Sequence, residues 1–416
     1  MMELAVTVQA DGRDIPCGRL FQGVRHGEET TSFSCDAGYL GDPRSFALAP
    51  DMPLGYGTFH SHGLQNLRAF EDCMPDRWGR NLLRRAERNA SRTEGRTERT
   101  PFEADMLVDT SDATRQGAIR IWTPGGTPLA PQGEGVPRLV RLPDLLDASD
   151  RAARDLNADV RDLVAAGSSL GGTRPKASVL DERGRLLIAK FPKADESLLD
   201  DTCAWERVCQ HLMKESAIVT PPSRLMRIQG RSVLLTERYD RRGWRRIPYL
   251  SGLSAVHGRD GQRYSYIELA EFIESEGADP DADLPELWRR ALFSCAVGNT
   301  DNHLRNHGFL RVAGGWRLSP AFDVNPTVGA GEKYLATGLD FDRPEADARI
   351  AFEVRDYFRV TGQQARSDAA RMLPALRGWR RIALSEGIPE ASIERMAGNF
   401  ERGITELEQT ASTPGR

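Results

Sequence analysis

No stretch of this 416-residue chain approaches eighteen consecutive apolar residues, so a membrane-spanning helix is not expected. The start, "MMELAVTVQADGRD", lacks a charged segment followed by a long apolar run, and no signal peptide is expected. The six cysteines (Cys17, Cys35, Cys73, Cys203, Cys209 and Cys295) are scattered and lack metal-type spacing. Reduced thiols in a cytoplasmic protein are the expectation, with no disulfide framework. An excess of positive charge is also missing. The net charge is -4 and the pI about 6.1, so no global field points to direct nucleic-acid binding. No internal repeat stands out. What remains is an ordinary soluble composition, 39% hydrophobic and 28% charged. The length calls for two or three domains, or one large bilobal unit.

Along the chain, residues 1–120 read as strands and turns, then a short helix. "LQNLRAFEDCMPDRWGRNLLRRAERNA" is helical on both sides of a break at Pro75, and "SRTEGRTERTP" at 91–101 reads as an exposed loop. Pro- and Gly-rich sequence at 124–137 suggests a boundary, followed by a helix in "LPDLLDASDRAARDL". "KASVL", "RLLIAKF" and "SVLLTERY" are strand-like, interrupted by a helix from about Thr202 to Lys214. "GADPDADLP" at 277–285 reads as an acidic turn or linker, the chain beyond it as mainly helical, and "TASTPGR" as a frayed tail.

The chemistry concentrates in "CAVGNTDNHLRNHGFLRVAGGWRLSPAFDVNPT", from Cys295. Asp301 and Asn306 are separated as Asp-x4-Asn. This is the spacing of the protein-kinase catalytic loop, whose Asp receives a proton and whose Asn holds Mg²⁺. A second carboxylate, Asp323, follows two strand-like runs, "HGFLRV" and "WRLSP". A hairpin of those strands would return Asp323 to the same site, and Asp323 with Asn306 supplies the hard oxygen ligands Mg²⁺ favours. Alone, an Asp-x4-Asn pair is more often turn and cap chemistry. His303 and His307 are four apart but lack a third zinc ligand. His303 is expected to bond within the loop and fix its shape.

Other parts of a nucleotide site occur in order. "AAGSSLGGTRPKASVL" is rich in Gly and hydroxyl residues. There Gly171, Gly172 and Thr173 would let backbone N–H groups approach phosphate, and Lys176 adds a cation, although this is not a Walker A loop. Lys190 ends the apolar strand "RLLIAKF", as the phosphate-pairing Lys of a kinase strand does. Glu206 would be its helix partner, or else lies on a solvated helix face. "SVLLTERYDR" runs out at Glu237 and Tyr239, where an adenine hinge would fall; Tyr239 is equally read as hinge packing. The basic run "RYDRRGWRR" at 238–246 reads as a solvated surface.

These motifs resemble the HipA family of serine/threonine kinases, the toxin halves of bacterial toxin–antitoxin pairs. The resemblance rests on "SLGGTRPKA" at 169–177, "LIAKFP" at 187–192, "TERYDR" at 236–241, "GNTDNHLRNHGF" at 298–309 and "LSPAFDVNP" at 318–326. "FEDCMPDRWGRNLL" at 70–83 and "RQGAIRI" at 115–121 resemble the family's small N-terminal subdomain. The resemblance implies Asp301 as catalytic Asp, with His303 beside it in the loop, and Asn306 and Asp323 on Mg²⁺. It also implies Lys190 on the ATP phosphates, Glu237 and Tyr239 at the adenine hinge, and Gly171 to Lys176 as the phosphate loop. Ser169, with Ser168 beside it, matches the family's autophosphorylated Ser. Where this chain has Arg174 and Pro175, the founding toxin has more polar residues, and Pro175 restricts the loop.

The expected fold is α+β: a bilobal protein-kinase-like fold whose mixed N-terminal lobe carries an extra small β-rich subdomain, with a mainly helical C-terminal lobe. The expected domains are 1–125, 126–240 and 241–416. The expected activity is ATP- and Mg²⁺-dependent serine/threonine phosphorylation by a growth-inhibiting toxin. The resemblance implies a protein substrate such as an aminoacyl-tRNA synthetase or other translation factor. It also implies a helix-turn-helix antitoxin, with DNA reached only through that partner. A small-molecule kinase, or an inactive kinase-fold partner of the antitoxin in a repressor complex, are the alternatives.

Overall fold

The computed structural model describes residues 2–25, 28–61, 64, 66–127, 129, 135–154, 160–167, 174–197 and 199–413. The chain forms two compact units. One comprises Met1–Ala194 with Glu237–Leu250, the other Asp195–Thr236 with Ser251–Arg416.

The first unit is built on an antiparallel sheet whose strands lie in the order Thr58–His60, Glu28–Cys35, Arg13–Arg25, Met2–Ala10, Ile119–Trp122. Alternation decides its inner face: Leu4, Val6 and Val8 are buried while their neighbours are partly exposed. Pro16 cannot donate to the ladder, and the register slips there, with Val6 opposite Gly18 but Thr7 opposite Pro16.

The helix Arg77–Glu94 follows the Pro75 break as expected, but it runs four residues into the 91–101 segment read as loop. Its end is set by Gly95, whose φ of 65° supplies the left-handed cap. Ser91 stays helical because it is buried and its Oγ bonds back to the Arg88 carbonyl. Farther along, a hairpin pairs Lys176–Leu180 with Leu186–Lys190.

The basic run at 238–246 corrects the expectation of a solvated surface. Arg238 and Asp240 are fully buried and pair at 2.6 Å; Arg241 reaches the same carboxylate at 2.7 Å. The Gly117 N–H also donates to Asp240, while Arg238 donates to the Thr114 carbonyl. Arg246 pairs with Asp112, which also holds Arg120. Arg115, buried from "RQGAIRI", donates to the carbonyls of Cys73, Leu107 and Thr110. Strand alternation explains the error. Arg241 opposes Arg246 and Arg242 opposes Arg245 in a two-residue ladder, so one pair turns inward and the other stays exposed.

The second unit is mainly helical. Its helices include Thr202–Glu215, Tyr266–Glu276, Pro280–Val297, Gly362–Arg377, Trp379–Ser385 and Glu390–Ser412. Two hairpins accompany them: Ser223–Ile228 with Arg231–Glu237, and Gly308–Val312 with Gly315–Leu318. Trp379 stacks on Phe400 at 4.4 Å, and Trp205 packs against both, its indole N–H donating to Ser392.

Two expectations are corrected here. The 277–285 segment is not a linker beyond Asp279, since Pro280 begins a helix of 18 residues. Asp279 caps it, Pro occupies a first-turn position that needs no N–H, and Asp281 and Asp283 suit the positive end of the helix dipole. The terminal "TASTPGR" is helical as far as Ser412.

Burial alone would raise the pKa of Asp240. The charges of Arg238 and Arg241, with hydrogen bonds from Arg238 and the Gly117 N–H, outweigh it and hold the carboxyl well below the usual range. Asp240→Asn is expected to cost about 3–5 kcal/mol, because it leaves two buried guanidiniums uncompensated. Urea unfolding of the two proteins measures this. The contribution of Asp240 is present above the unfolded carboxylate pKa and fades as pH falls below about 4.

Candidate active site

The Asp-x4-Asn loop hangs from the end of the Pro280–Val297 helix. The last two turns of that helix are buried from Ala291 to Val297, which fixes the loop's origin. Gly298 ends the helix at φ 61°, and a side chain there would meet the Asn399 Oδ1 at 2.5 Å. Asn399, from the last helix, donates to the Val297 carbonyl at 2.7 Å and so closes the helix end. A short 3₁₀ turn, Leu304–Asn306, then delivers the chain into the Gly308–Val312 strand.

Each amide of "GNTDNHLRN" has a separate task. Asn302 is buried, and its side chain both accepts from the Thr337 N–H at 3.1 Å and donates to the Thr337 carbonyl at 3.0 Å. It thereby acts like a strand residue, holding the loop to the segment that follows Asp323. Asn299, also buried, accepts from the Asn325 N–H. Thr300 and Thr327 hydroxyls meet at 2.9 Å, and the Thr327 N–H donates to the Gly298 carbonyl. The Asp323 segment therefore runs beside the start of the loop, as the expected hairpin return requires.

Asn306 lies at the centre. Its Nδ2 donates to the Asp301 carbonyl at 2.8 Å, which closes the loop between the two motif residues. Its Oδ1 is buried with no hydrogen-bond partner among the described residues. Phe322 and Val324, on either side of Asp323, line the same small cavity as Asn306, about 20 Å³. Asp323 itself has φ 59°. A non-glycine residue held there costs on the order of 1–3 kcal/mol and persists only where its surroundings impose it. The Asp301 side chain projects outward, 84% exposed, and His303 Nε2 is 3.9 Å from its carboxylate. The His303 backbone carbonyl accepts from the Asn306 N–H, while its ring Nδ1 is buried with no hydrogen-bond partner among the described residues.

His307 does not share a helical face with His303. It is buried, its Nε2 lies 3.2 Å from the Asn302 carbonyl, and its ring meets Tyr266 edge-on at 5.1 Å. Burial, with the nearby Arg290 charge, lowers its pKa to about 3, against the opposing hydrogen bond to Asn302. The ring is thus neutral and structural. Asn302, Asn299, Asn325, Tyr266 and His307 were not singled out as site residues. The density of amides was the available signal, but which amide faces backbone and which faces the site depends on the fold.

The remaining sequence candidates fall as follows. Lys190 ends its strand in the first unit and is buried. Lys176 is buried opposite it, paired with Asp76. The Glu237 side chain pairs with Arg185 at 2.9 Å, and the Tyr239 ring lies 6.2 Å from that of Tyr249, its hydroxyl buried. Glu206 belongs to the second unit and is 2% exposed, which corrects the solvated-face alternative: its helix buries that side beside Trp205 and Cys209. Ser168, Ser169, Gly171, Gly172 and Thr173 lie outside the described residues.

Asn306 and Asp323 carry the oxygen donors that suit a hard cation, and among the described residues no group of three or more His, Cys, Asp or Glu is placed to hold a metal ion. A mixed β/α unit and a mainly helical one carrying this loop together define a kinase-like fold. The model of the HipA-like C-terminal domain matches residues 168–401, more than half of the sequence. The chain belongs to the HipA family. It is similar in fold, with TM-score 0.70 and 16% identity, to a chain from the HipA, HipB and operator DNA complex of the toxin–antitoxin system of Shewanella oneidensis MR-1. That match covers 99% of this chain and 100% of the other. A Haemophilus influenzae (strain Rd) protein named "Putative kinase" is 24% identical over 213 residues, a match spanning 44% of this chain and 61% of that protein. A lesser likeness, TM-score 0.45 and 14% identity, is to the Helicobacter pylori proinflammatory kinase CtkA, over 57% of this chain and 92% of that one.

The neutral His307 has a measurable consequence. Its folded pKa lies below the ordinary 6.5, so its contribution to stability is complete above about pH 6.5 and is lost as pH falls toward 3. Unfolding free energies between pH 7 and pH 4 are expected to fall less steeply in His307→Gln than in the parent protein.

Proposed function

We propose that this protein is a serine/threonine kinase of the toxin type, using ATP and Mg²⁺. The observation that carries the reading is the loop closed by Asn306 on the Asp301 carbonyl. The Asn306 Oδ1 is left buried and unsatisfied there, beside the strained Asp323 segment. An amide whose nitrogen is used structurally and whose oxygen is not has the chemistry of a metal ligand.

In this reading Asn306 and Asp323 would hold Mg²⁺, which when bound neutralises negative charge on the phosphates. Asp301, exposed at the tip of the loop, orients a substrate hydroxyl and receives its proton. Its high exposure suits an acceptor presented by a macromolecule rather than a small molecule enclosed in a pocket. Lys190 would supply positive charge to the nucleotide phosphates, and the backbone at Glu237–Tyr239 would bind the adenine. Ser169 or Ser168 would be the autophosphorylation site. A helix-turn-helix antitoxin would be the partner, with DNA reached through it; the supporting parallel is the fold shared with the Shewanella HipA chain.

The reading is tested with purified protein, Mg²⁺ and labelled ATP, with and without a lysate of the source cell, followed by peptide mapping. Asp301→Ala and Asp323→Ala are each expected to lower label transfer by about a hundredfold or more, with thermal midpoints close to the parent. An Asp301→Ala protein with parental activity would remove that residue from the mechanism.

A further inference from the structure

Two of the motifs that carry the family resemblance meet at a place the proposed chemistry does not use. Asp76, in "MPDRWGR", precedes the Arg77–Glu94 helix, and its Oδ1 accepts the Gly79 N–H at 2.9 Å. Its other oxygen, Oδ2, lies 2.7 Å from the Nζ of Lys176, in "GGTRPK". Both side chains are only 4% exposed. Each oxygen of this carboxylate therefore has its own task, one as helix cap and one as counter-ion.

Lys176 stands directly opposite Lys190 in the antiparallel ladder. Opposed residues in such a ladder share a face, so two buried lysines lie side by side. Like charges in that position repel, and more strongly away from water. Asp76 offsets one of the two. A lysine committed to a buried carboxylate could reach a phosphate only by breaking that buried ion pair, which is strongly unfavourable. The backbone also restrains Lys176. Pro175 before it is buried and its carbonyl accepts from the Phe191 N–H at 2.9 Å, extending the ladder past the lysine pair.

We propose that Lys176 is a buried strut and not a phosphate ligand, and that Asp76 is a positioning residue for Lys190. Asp76 ties the hairpin to the helix start and offsets the charge facing Lys190, which keeps the strand end in place. The role given to Lys190 rests on the kinase reading; the strut does not.

The test is a double-mutant cycle on the full chain: parent, Asp76→Asn, Lys176→Met and both together. Asn preserves the helix cap while removing the charge, and Met preserves most of the lysine volume. Thermal midpoints and the affinity for a non-hydrolysable ATP analogue with Mg²⁺, by titration calorimetry, are measured on each. Each single variant is expected to lose roughly 5 °C or more, and the double to recover at least half of the summed loss, because the buried charges leave together. Asp76→Asn is expected to bind the analogue several-fold more weakly, and the double variant to return to within about threefold of the parent. A double variant no more stable than the worse single, or one that does not fold, overturns the strut. A folded double variant that binds the analogue more than about tenfold weaker overturns the exclusion of Lys176 from the phosphates. A parent that binds no nucleotide removes the kinase reading, and with it the role of Asp76 toward Lys190, while the midpoints still decide the strut.

Discussion

Charge taken out of water must be fully compensated, and in the first unit that constraint falls on one carboxylate. Asp240 receives Arg238, Arg241 and the Gly117 N–H, and these come from parts of the sequence about 120 positions apart. Removing the carboxylate leaves two buried guanidiniums without their shared partner, an unfavourable state by several kcal/mol in typical buried pairs. The network therefore does not merely decorate the fold. It requires "RQGAIRI" and "TERYDR" to be in one place, which joins the sheet-bearing subdomain to the segment that returns at residue 237. Arg115 adds to the same region by satisfying three carbonyls where loops converge.

The second unit applies the same rule with neutral groups. Asn302 substitutes for a strand residue, giving and taking one hydrogen bond with the backbone of Thr337. His307 is kept neutral by burial and faces the Asn302 carbonyl. These contacts leave Asp301 outward and the Asn306 oxygen unclaimed. In the proposed reading the reactive groups are those the scaffold does not use. Positioning by buried neighbours is what lets a loop hold functional atoms to the tolerance that catalysis demands.

Much of this was legible in residue order. The Pro75 break, the strands around Lys190, the hairpin before Asp323 and the Asp-x4-Asn loop all follow local patterns: proline geometry, apolar alternation and turn chemistry. The misreadings share a cause. "GADPDADLP" looks like a linker because its helix-start residues are also turn residues, and only the buried continuation distinguishes them. "RYDRRGWRR" looks solvated because no local pattern shows which of its charges turn inward, where Arg238 and Arg241 meet Asp240 and Arg246 reaches the distant Asp112. The solvated-face alternative for Glu206 fails because its helix buries that side.

By itself, the sequence determined the family and the elements that carry its motifs. Hard oxygen donors at kinase spacing, an apolar strand ending in Lys190 and the ordering of motifs are properties of nearest neighbours along the chain. Tertiary structure alone decided which of several similar residues does what. Lys176 and Lys190 are equivalent by composition, yet one lies against Asp76 at 2.7 Å. Asn299, Asn302 and Asn306 are the same side chain and all three bond to backbone, yet of their side-chain oxygens only that of Asn306 is left unsatisfied. Pairing across a hundred residues is set by packing, and no local pattern encodes the distance between two side chains that distant in sequence.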